Sequence, residues 1–302
     1  EHLMGGGSRS MTAEEIEYLQ EALGNQTNAY TSYSHTCYHM ASAARYVDDM
    51  IRMIGDYVFF PRLDQTDIDT QRGIILREMA MGDDDPGRKL WYLLESTMFT
   101  VHPERYRVIG YPEPFKAITR DDLVKFHKRM YTTDNIVAVV VGDFQADHVL
   151  ATVEECLGDV TRTGTVFPAL PQEPAQLSER RAEEIDPTLT RAYVASAYRT
   201  VSLYSPDLYA LDVLADILGA GASSRLVSRL RDELGLVDGI DCSSDTPVYD
   251  AGKLVIMAVC DEAKLAAARE AIDAEVTRLK SEPVTAAELE RSRKQKAASL
   301  VY

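Results

Sequence analysis

LQEALG at residues 19–24 and LRDELG at 230–235 are near copies, 211 positions apart. The sequence around them continues in parallel. GGGS at 5–8 precedes the first copy much as GAGASS at 219–224 precedes the second. Downstream, each copy runs through extended residues, an Ala-rich helical stretch, a Pro turn and a Thr-capped helix. Aligning the two Thr caps, Thr66 and Thr285, raises the offset to about 219 through insertions. The fold class expected from this duplication is α+β. Two homologous α/β halves, each an antiparallel-rich sheet packed with helices, form a clamshell. The expected boundaries are 1–158 for the N-terminal half, 159–187 for a linker with four prolines, and 188–302 for the C-terminal half.

Local patterns fill in the halves. Thr12 and Glu15 form a capping box, Ile16, Leu19 and Leu23 mark one face, and Gly24 stops a helix over 12–24. Residues 28–40 are rich in Thr, Tyr and Ser and read as extended. Helical spacing returns over 43–58 and again from Thr66 through Ile75, Glu78 and Met79 to the GDDDP turn at 82–86. Helices are expected at 87–100, 120–131 and 145–157, and IVAVVV at 136–141 reads as a buried strand. In the second half, strands are expected at 191–199 and 253–260 and helices near 205–218, 223–234 and 262–280, with a capping box at Thr285 and Glu288. The basic run RSRKQK at 291–296 reads as a solvated helix face. The closing KAASLVY at 296–302 reads as an interrupted helix, and the first residues as the middle of a motif.

Composition narrows the function classes. At 302 residues the chain exceeds what one core usually organises. A net charge of −16 would repel phosphates, so no nucleic-acid partner is expected; basic or neutral ligands, including cationic peptides, suit it. No apolar run reaches membrane-span length. Cys37, Cys156, Cys242 and Cys260 lack C-x-x-C spacing and read as buried thiols. No pattern assigns a compartment, cytoplasmic or periplasmic.

The chemistry-bearing residues begin at Glu1-His2, followed 76 positions after His2 by Glu78. Two His residues at i and i+4 of a helix project from one face and can share a metal ion. A Glu between them points beside the ion and can take a proton from water. A further ligand must come from a second helix, where Glu78 shares a face with Gln71, Ile74 and Ile75. An ordinary helix surface Glu and a solvated terminal dipeptide would look the same in isolation. At the repeat offsets, Glu1, His2 and Glu78 fall opposite Asp212, Val213 and Ala297, so one half carries the candidate ligands and the other does not. His35 and His39 lie in an extended stretch without a paired acid, His102 reads as a helix-ending turn, and His127 and His148 have no constellation.

The segments EHLM at 1–4, GNQTNAYTSYSHTCYHM at 24–40, RGIILREMAMGDDDP at 72–86, HPERYRVIG at 102–110, YTTDNIVAVVVGDF at 131–144 and GAGASSRLVSRLRDELGLV at 219–237 occur in order over nearly the whole chain. Together they resemble the insulinase/pitrilysin family of zinc metallopeptidases, and within it the shorter bacterial and mitochondrial-processing-type members. The resemblance implies Zn²⁺ as cofactor and hydrolysis of unstructured peptides in a closed chamber. It makes Glu1 the general base, His2 and Glu78 metal ligands, and places the first His of H-x-x-E-H three residues before Glu1. It aligns Asn28, Ala29 and Thr31 with the strand that pairs with the peptide backbone. It aligns Arg231 with a second-half Arg that reaches the substrate, and implies a homodimer or pairing with a homologous subunit.

Several departures weigh the other way. The Tyr expected seven residues after Arg231 is Asp238, which would repel developing negative charge. Gln71 stands where relatives have a Glu, and supplies a hydrogen bond but no charge. Arg77 replaces an acidic neighbour, and Gly5 an aromatic residue. They motivate an alternative, a catalytically inactive or partner-dependent relative acting as a peptide-binding or scaffold subunit. With two of three protein ligands, these 302 residues by themselves are expected to show little peptidase activity.

Overall fold

The computed structural model describes residues 1–160, 162, 164, 167 and 169–299. It is an α+β fold with antiparallel sheets and flanking helices. Two compact units form. One comprises Glu1–Met81 and Arg107–Ala169, the other Gly82–Tyr106 and Leu170–Tyr302. Residues 82–106 therefore pack with the second unit, although chain order places them early.

The first unit opens with a short 3-10 turn, His2–Gly5, then helix α1, Ala13–Ala22. The capping box is complete: Thr12 N–H donates to Glu15 Oε2 at 2.8 Å and Glu15 N–H to Thr12 Oγ1 at 3.2 Å. Strands β1, Gln26–Thr31, and β2, Thr36–Ala41, form an antiparallel hairpin in which Ala29 faces Tyr38 and Thr31 faces Thr36. Helices α2, Val47–Phe59, and α3, Gln65–Asp83, follow. Between them Leu63 adopts φ 51°, a left-handed turn costly for a residue with a Cβ. Arg120 holds it by donating from Nε to the Leu63 carbonyl at 2.7 Å. The small core of this unit gathers Met4, Ile16, Met53, Tyr57 and Val58. Burial of Met4 thus anchors the turn that carries His2.

IVAVVV at 136–141 departs from expectation. It joins no sheet among the described residues, and Val137, Val139 and Val141 are 87%, 77% and 90% exposed. A β-branched run favours extended backbone, but a strand also needs a ladder partner, and β1 and β2 pair only with each other here.

The second unit is built on a three-stranded antiparallel sheet of β3, Ala192–Arg199, β4, Gly239–Asp245, and β5, Lys253–Cys260, with β5 central. GIDCSSD was not expected to be a strand, yet Ile240 and Cys242 alternate inward along β4. Leu218, Leu226, Leu230, Ile256, Cys260 and Ile272 are fully buried in its core. Helix α4, Leu208–Gly219 (α4 here being the first helix after β3), ends against β4. A Cβ on Gly219 would lie 2.1 Å from the Cys242 nitrogen, so only glycine permits this approach. Helix α5, Ala286–Ser299, carries the basic run; Leu300–Tyr302 lie outside the described residues. The run is not simply solvated. Ser292 and Lys296, one helical turn apart, both reach Asp216 of α4, at 3.0 and 3.1 Å. All four cysteines are free; Cys242 and Cys260 are buried, Cys37 and Cys156 only half-buried.

The Pro-rich stretch 159–187, whose Pro168 lies outside the described residues, is fastened at Glu173. This carboxylate accepts from Thr100 N–H at 2.8 Å, Thr100 Oγ1 at 2.7 Å, Val101 N–H at 2.8 Å and His102 N–H at 3.0 Å. Burial pushes its carboxyl up, but these donors outweigh burial and hold it at about 2. A depressed carboxyl stabilises the fold above its ordinary value of 4.5 and loses that contribution as pH falls toward 2. Glu173→Gln is expected to cost up to about 3 kcal/mol at neutral pH. Its deficit relative to the parent should shrink between pH 4.5 and 2 in urea melts; a pH-independent deficit would contradict the assignment.

Candidate metal centre

The site grows from α3. Gln71 and Glu78 lie seven residues apart, two turns along one helix face. Both address the same imidazole. His2 Nδ1 is 3.2 Å from Gln71 Oε1, and His2 Nε2 is 3.6 Å from Glu78 Oε2. A Gln carbonyl oxygen can only accept, so a proton on Nδ1 satisfies this contact, and Nε2 is the ring nitrogen that faces Glu78. Gln71 thus performs the orienting role of a second carboxylate without its charge.

His2 is held from behind. The turn at 2–5 is followed by Gly6 and Gly7, and the chain is then tied down at Ser8, which is fully buried. Ser8 Oγ and Ser10 Oγ both donate to Asp56 Oδ2 on α2, and Arg62 Nε donates to the Ser8 carbonyl at 2.7 Å. These bonds fix the segment against α2 and the turn that leads into α3.

The donor pair suits a tetrahedral cation. Two donors about 2.1 Å from one such ion lie roughly 3.4 Å apart, close to the 3.6 Å between Nε2 and Oε2. Their side chains are 33% and 48% exposed, so the position is open to water. No group of three His, Cys, Asp or Glu side chains able to hold a metal occurs among the described residues. Among the described residues, His2 and Glu78 form a candidate pair, and a catalytic zinc site takes three protein donors and a water.

The Glu1 side chain is engaged by β1. Thr31 Oγ1 of β1 donates to Glu1 Oε2. Tyr38 and Tyr131 lie near by, their hydroxyls 2.8 Å apart; burial pushes both phenols up, and the Glu1 charge adds to this. Asn28, Ala29 and Thr31 sit on β1, whose second edge has no strand partner among the described residues. Asn28 Oδ1 accepts from the Ala29 N–H at 2.9 Å. Glu1, His2, Glu78 and β1 belong to one unit. Arg231 belongs to the other, in the π-helical turn Val227–Glu233, with Nε 2.7 Å from Asp232 Oδ1. Asp238 pairs with Arg191 at 3.2 Å. The remaining histidines are engaged locally. His35 Nδ1 meets Ser32 and Ser34, His127 Nε2 donates to the Val58 carbonyl, and His148 Nε2 meets Asp48 at 2.7 Å.

Comparison with known proteins supplies the decisive context. Residues 1–111 match the family described as Insulinase (Peptidase family M16), and residues 117–296 match the Peptidase M16 inactive domain. The chain belongs to the M16 insulinase family. It is 30% identical over 297 residues to an uncharacterized zinc protease of Mycobacterium leprae, covering 95% of this chain and 65% of that protein. It is 26% identical over 309 residues to a probable mitochondrial-processing peptidase subunit beta of Arabidopsis thaliana, covering 100% of this chain and 58% of that protein. The chain spans less than two thirds of the length of these M16 relatives. The structure of a protease from Helicobacter pylori superposes with a TM-score of 0.93 at 24% identity, over 100% of this chain and 74% of that one, and shares the M16 fold. No helix of the described residues is long and apolar enough to cross a membrane.

Proposed function

We propose that the whole protein is a zinc-dependent endopeptidase acting on unstructured peptides. The observation that carries this reading is the single imidazole of His2 set between Gln71 and Glu78, with Nε2 and Oε2 at tetrahedral-pair separation. His2 and Glu78 would hold the ion, with a third protein donor expected three residues before Glu1. When bound, zinc supplies positive charge that acidifies a water molecule and polarises the peptide carbonyl. Glu1 takes a proton from the attacking water and later delivers it to the leaving amine. The unpaired edge of β1 receives the peptide as an added strand, at Asn28, Ala29 and Thr31. The Asn28 amide oxygen must then release the Ala29 N–H it accepts from. By the family pattern, Arg231 is a further group that meets the substrate. The −16 charge favours cationic or neutral peptides.

A second reading has its own support. Asp238 stands in an ion pair at the position where the resemblance expects a Tyr, and Gln71 stands where relatives have a Glu. A partner-dependent or inactive subunit would bind peptides without cutting them. The Arabidopsis relative is itself named as a subunit, which favours pairing with a homologous chain for this protein also. Metal analysis and peptide hydrolysis by the whole protein separate the two. One zinc per chain, with hydrolysis that stops on chelation and returns with zinc, is expected. Peptide binding with neither zinc nor turnover would overturn the endopeptidase reading and support the second.

A further inference from the structure

We propose that Thr31 is a positioning residue that holds the Glu1 carboxylate. This rests on the reading of Glu1 as the general base. The backbone of β1 pairs with the peptide in either case; the alternative role for the Thr31 hydroxyl is direct contact with the peptide, and its hydrogen bonds decide between the two.

An ionised carboxylate can only accept, so the bond between Thr31 Oγ1 and Glu1 Oε2 uses the one hydroxyl proton of Thr31. That proton is then not available to a peptide carbonyl. The Thr31 oxygen retains lone pairs, and Thr36 Oγ1 lies 3.3 Å away on the facing strand. The directed chain runs from the Thr36 hydroxyl to Thr31 and on to Glu1. Each bond polarises the next. Thr31 and Thr36 are the last pair of the hairpin, and Ser32 N–H closes the turn on the His35 carbonyl at 2.8 Å. The hydroxyl is therefore carried on a closed two-strand frame.

The consequence for the reaction is specific. Oε2 is committed to Thr31, so Oε1 is the oxygen that receives the proton. A Glu in a solvated turn would otherwise sample several rotamers and spend little time aimed at the reacting atoms. The same strand that takes the peptide also fixes the base, which links the base geometrically to the peptide-binding edge.

Thr31→Val keeps the shape and strand preference but removes the hydroxyl; Thr31→Ser keeps the hydroxyl. In the whole zinc-loaded protein, Thr31→Val is expected to lower kcat about 10- to 100-fold with KM unchanged, and Thr31→Ser to restore most of it. In a Glu1→Gln background, Thr31→Val should leave the Kd of an unstructured peptide unchanged, and zinc affinity should not move. A raised KM or Kd with kcat unaltered would make Thr31 a peptide contact and overturn the proposal, as would an unchanged kcat. An arm independent of activity uses ¹³C relaxation of the Glu1 side chain in metal-free protein. Glu1 should be ordered in the parent and in Thr31→Ser, and mobile in Thr31→Val. Equal mobility in all three overturns the proposal. If the parent hydrolyses nothing, the endopeptidase reading fails, while the relaxation arm still decides the contact.

Discussion

Glu1→Gln is expected to lower peptide turnover by about 10²–10⁴-fold while zinc content and peptide affinity stay at parent values. The size follows from the role. Gln has the shape of Glu and still accepts the Thr31 hydroxyl, so the contact seen at Oε2 survives. What is lost is the ability to hold a proton between two steps. No hydrogen bond joins the Glu1 carboxylate to the His2 or Glu78 side chain among the described residues, so that pair should not notice the change. The loss should therefore fall on kcat, the signature of an interaction made only in the transition state. Steady-state kinetics beside metal analysis makes the measurement. Full activity in the variant would remove Glu1 from the mechanism. Loss of zinc together with activity would show instead that Glu1 supports the metal site.

Much of this site was legible in the sequence, and the reasons differ by residue. The Thr12–Glu15 and Thr285–Glu288 boxes are local chemistry, complete within three residues, and both form. His2 and Glu78 became candidates through the resemblance, because 76 intervening residues hide any contact from local pattern. The capacity of Gln71 to hydrogen-bond was readable; that its oxygen faces His2 Nδ1 needed the geometry. Thr31 was placed on the right strand, but no pattern links residue 31 to residue 1. IVAVVV failed for a different reason: propensity describes one strand, whereas a sheet is a property of two. The Gly239–Asp245 strand was missed for the converse reason. Its Gly, Ser and Asp disfavour a strand by composition, and pairing along β5 overrides them.

The largest stability effect sits where the sequence was least informative. Lys253 opens β5 and is 1% exposed, as are Glu95 and Glu104. Its Nζ contacts Glu104 Oε1, lies 3.4 Å from Glu95 Oε1 and 2.9 Å from Asp245 Oδ2, and sits 5.2 Å from the Trp91 ring centre. Burial pushes this ammonium's pKa down, but the charges of Glu104 and Asp245 and their bonds prevail and raise it. A raised lysine stabilises the fold below its ordinary value of 10.5 and ceases to do so as pH rises beyond it. Lys253→Met fills the space but strands the buried Glu104 carboxylate and takes the ammonium away from Glu95. A loss of about 3–5 kcal/mol is expected, the cost of breaking rather than replacing a buried pair. The sensitive pH window then moves from the alkaline to the acid range. Uncompensated buried carboxyls take up protons more readily folded than unfolded, so the variant should be relatively more stable near pH 4 and weaken toward neutrality. Adding Glu104→Gln removes one stranded charge and should recover part of the loss, which keeps the test open if the single variant does not fold. Urea melts of parent, single and double variants from pH 4 to 8 measure all three. A single variant as stable as the parent at pH 7, or a double variant weaker than the single, would show that the cluster does not bind residues 82–106 to the second sheet by charge.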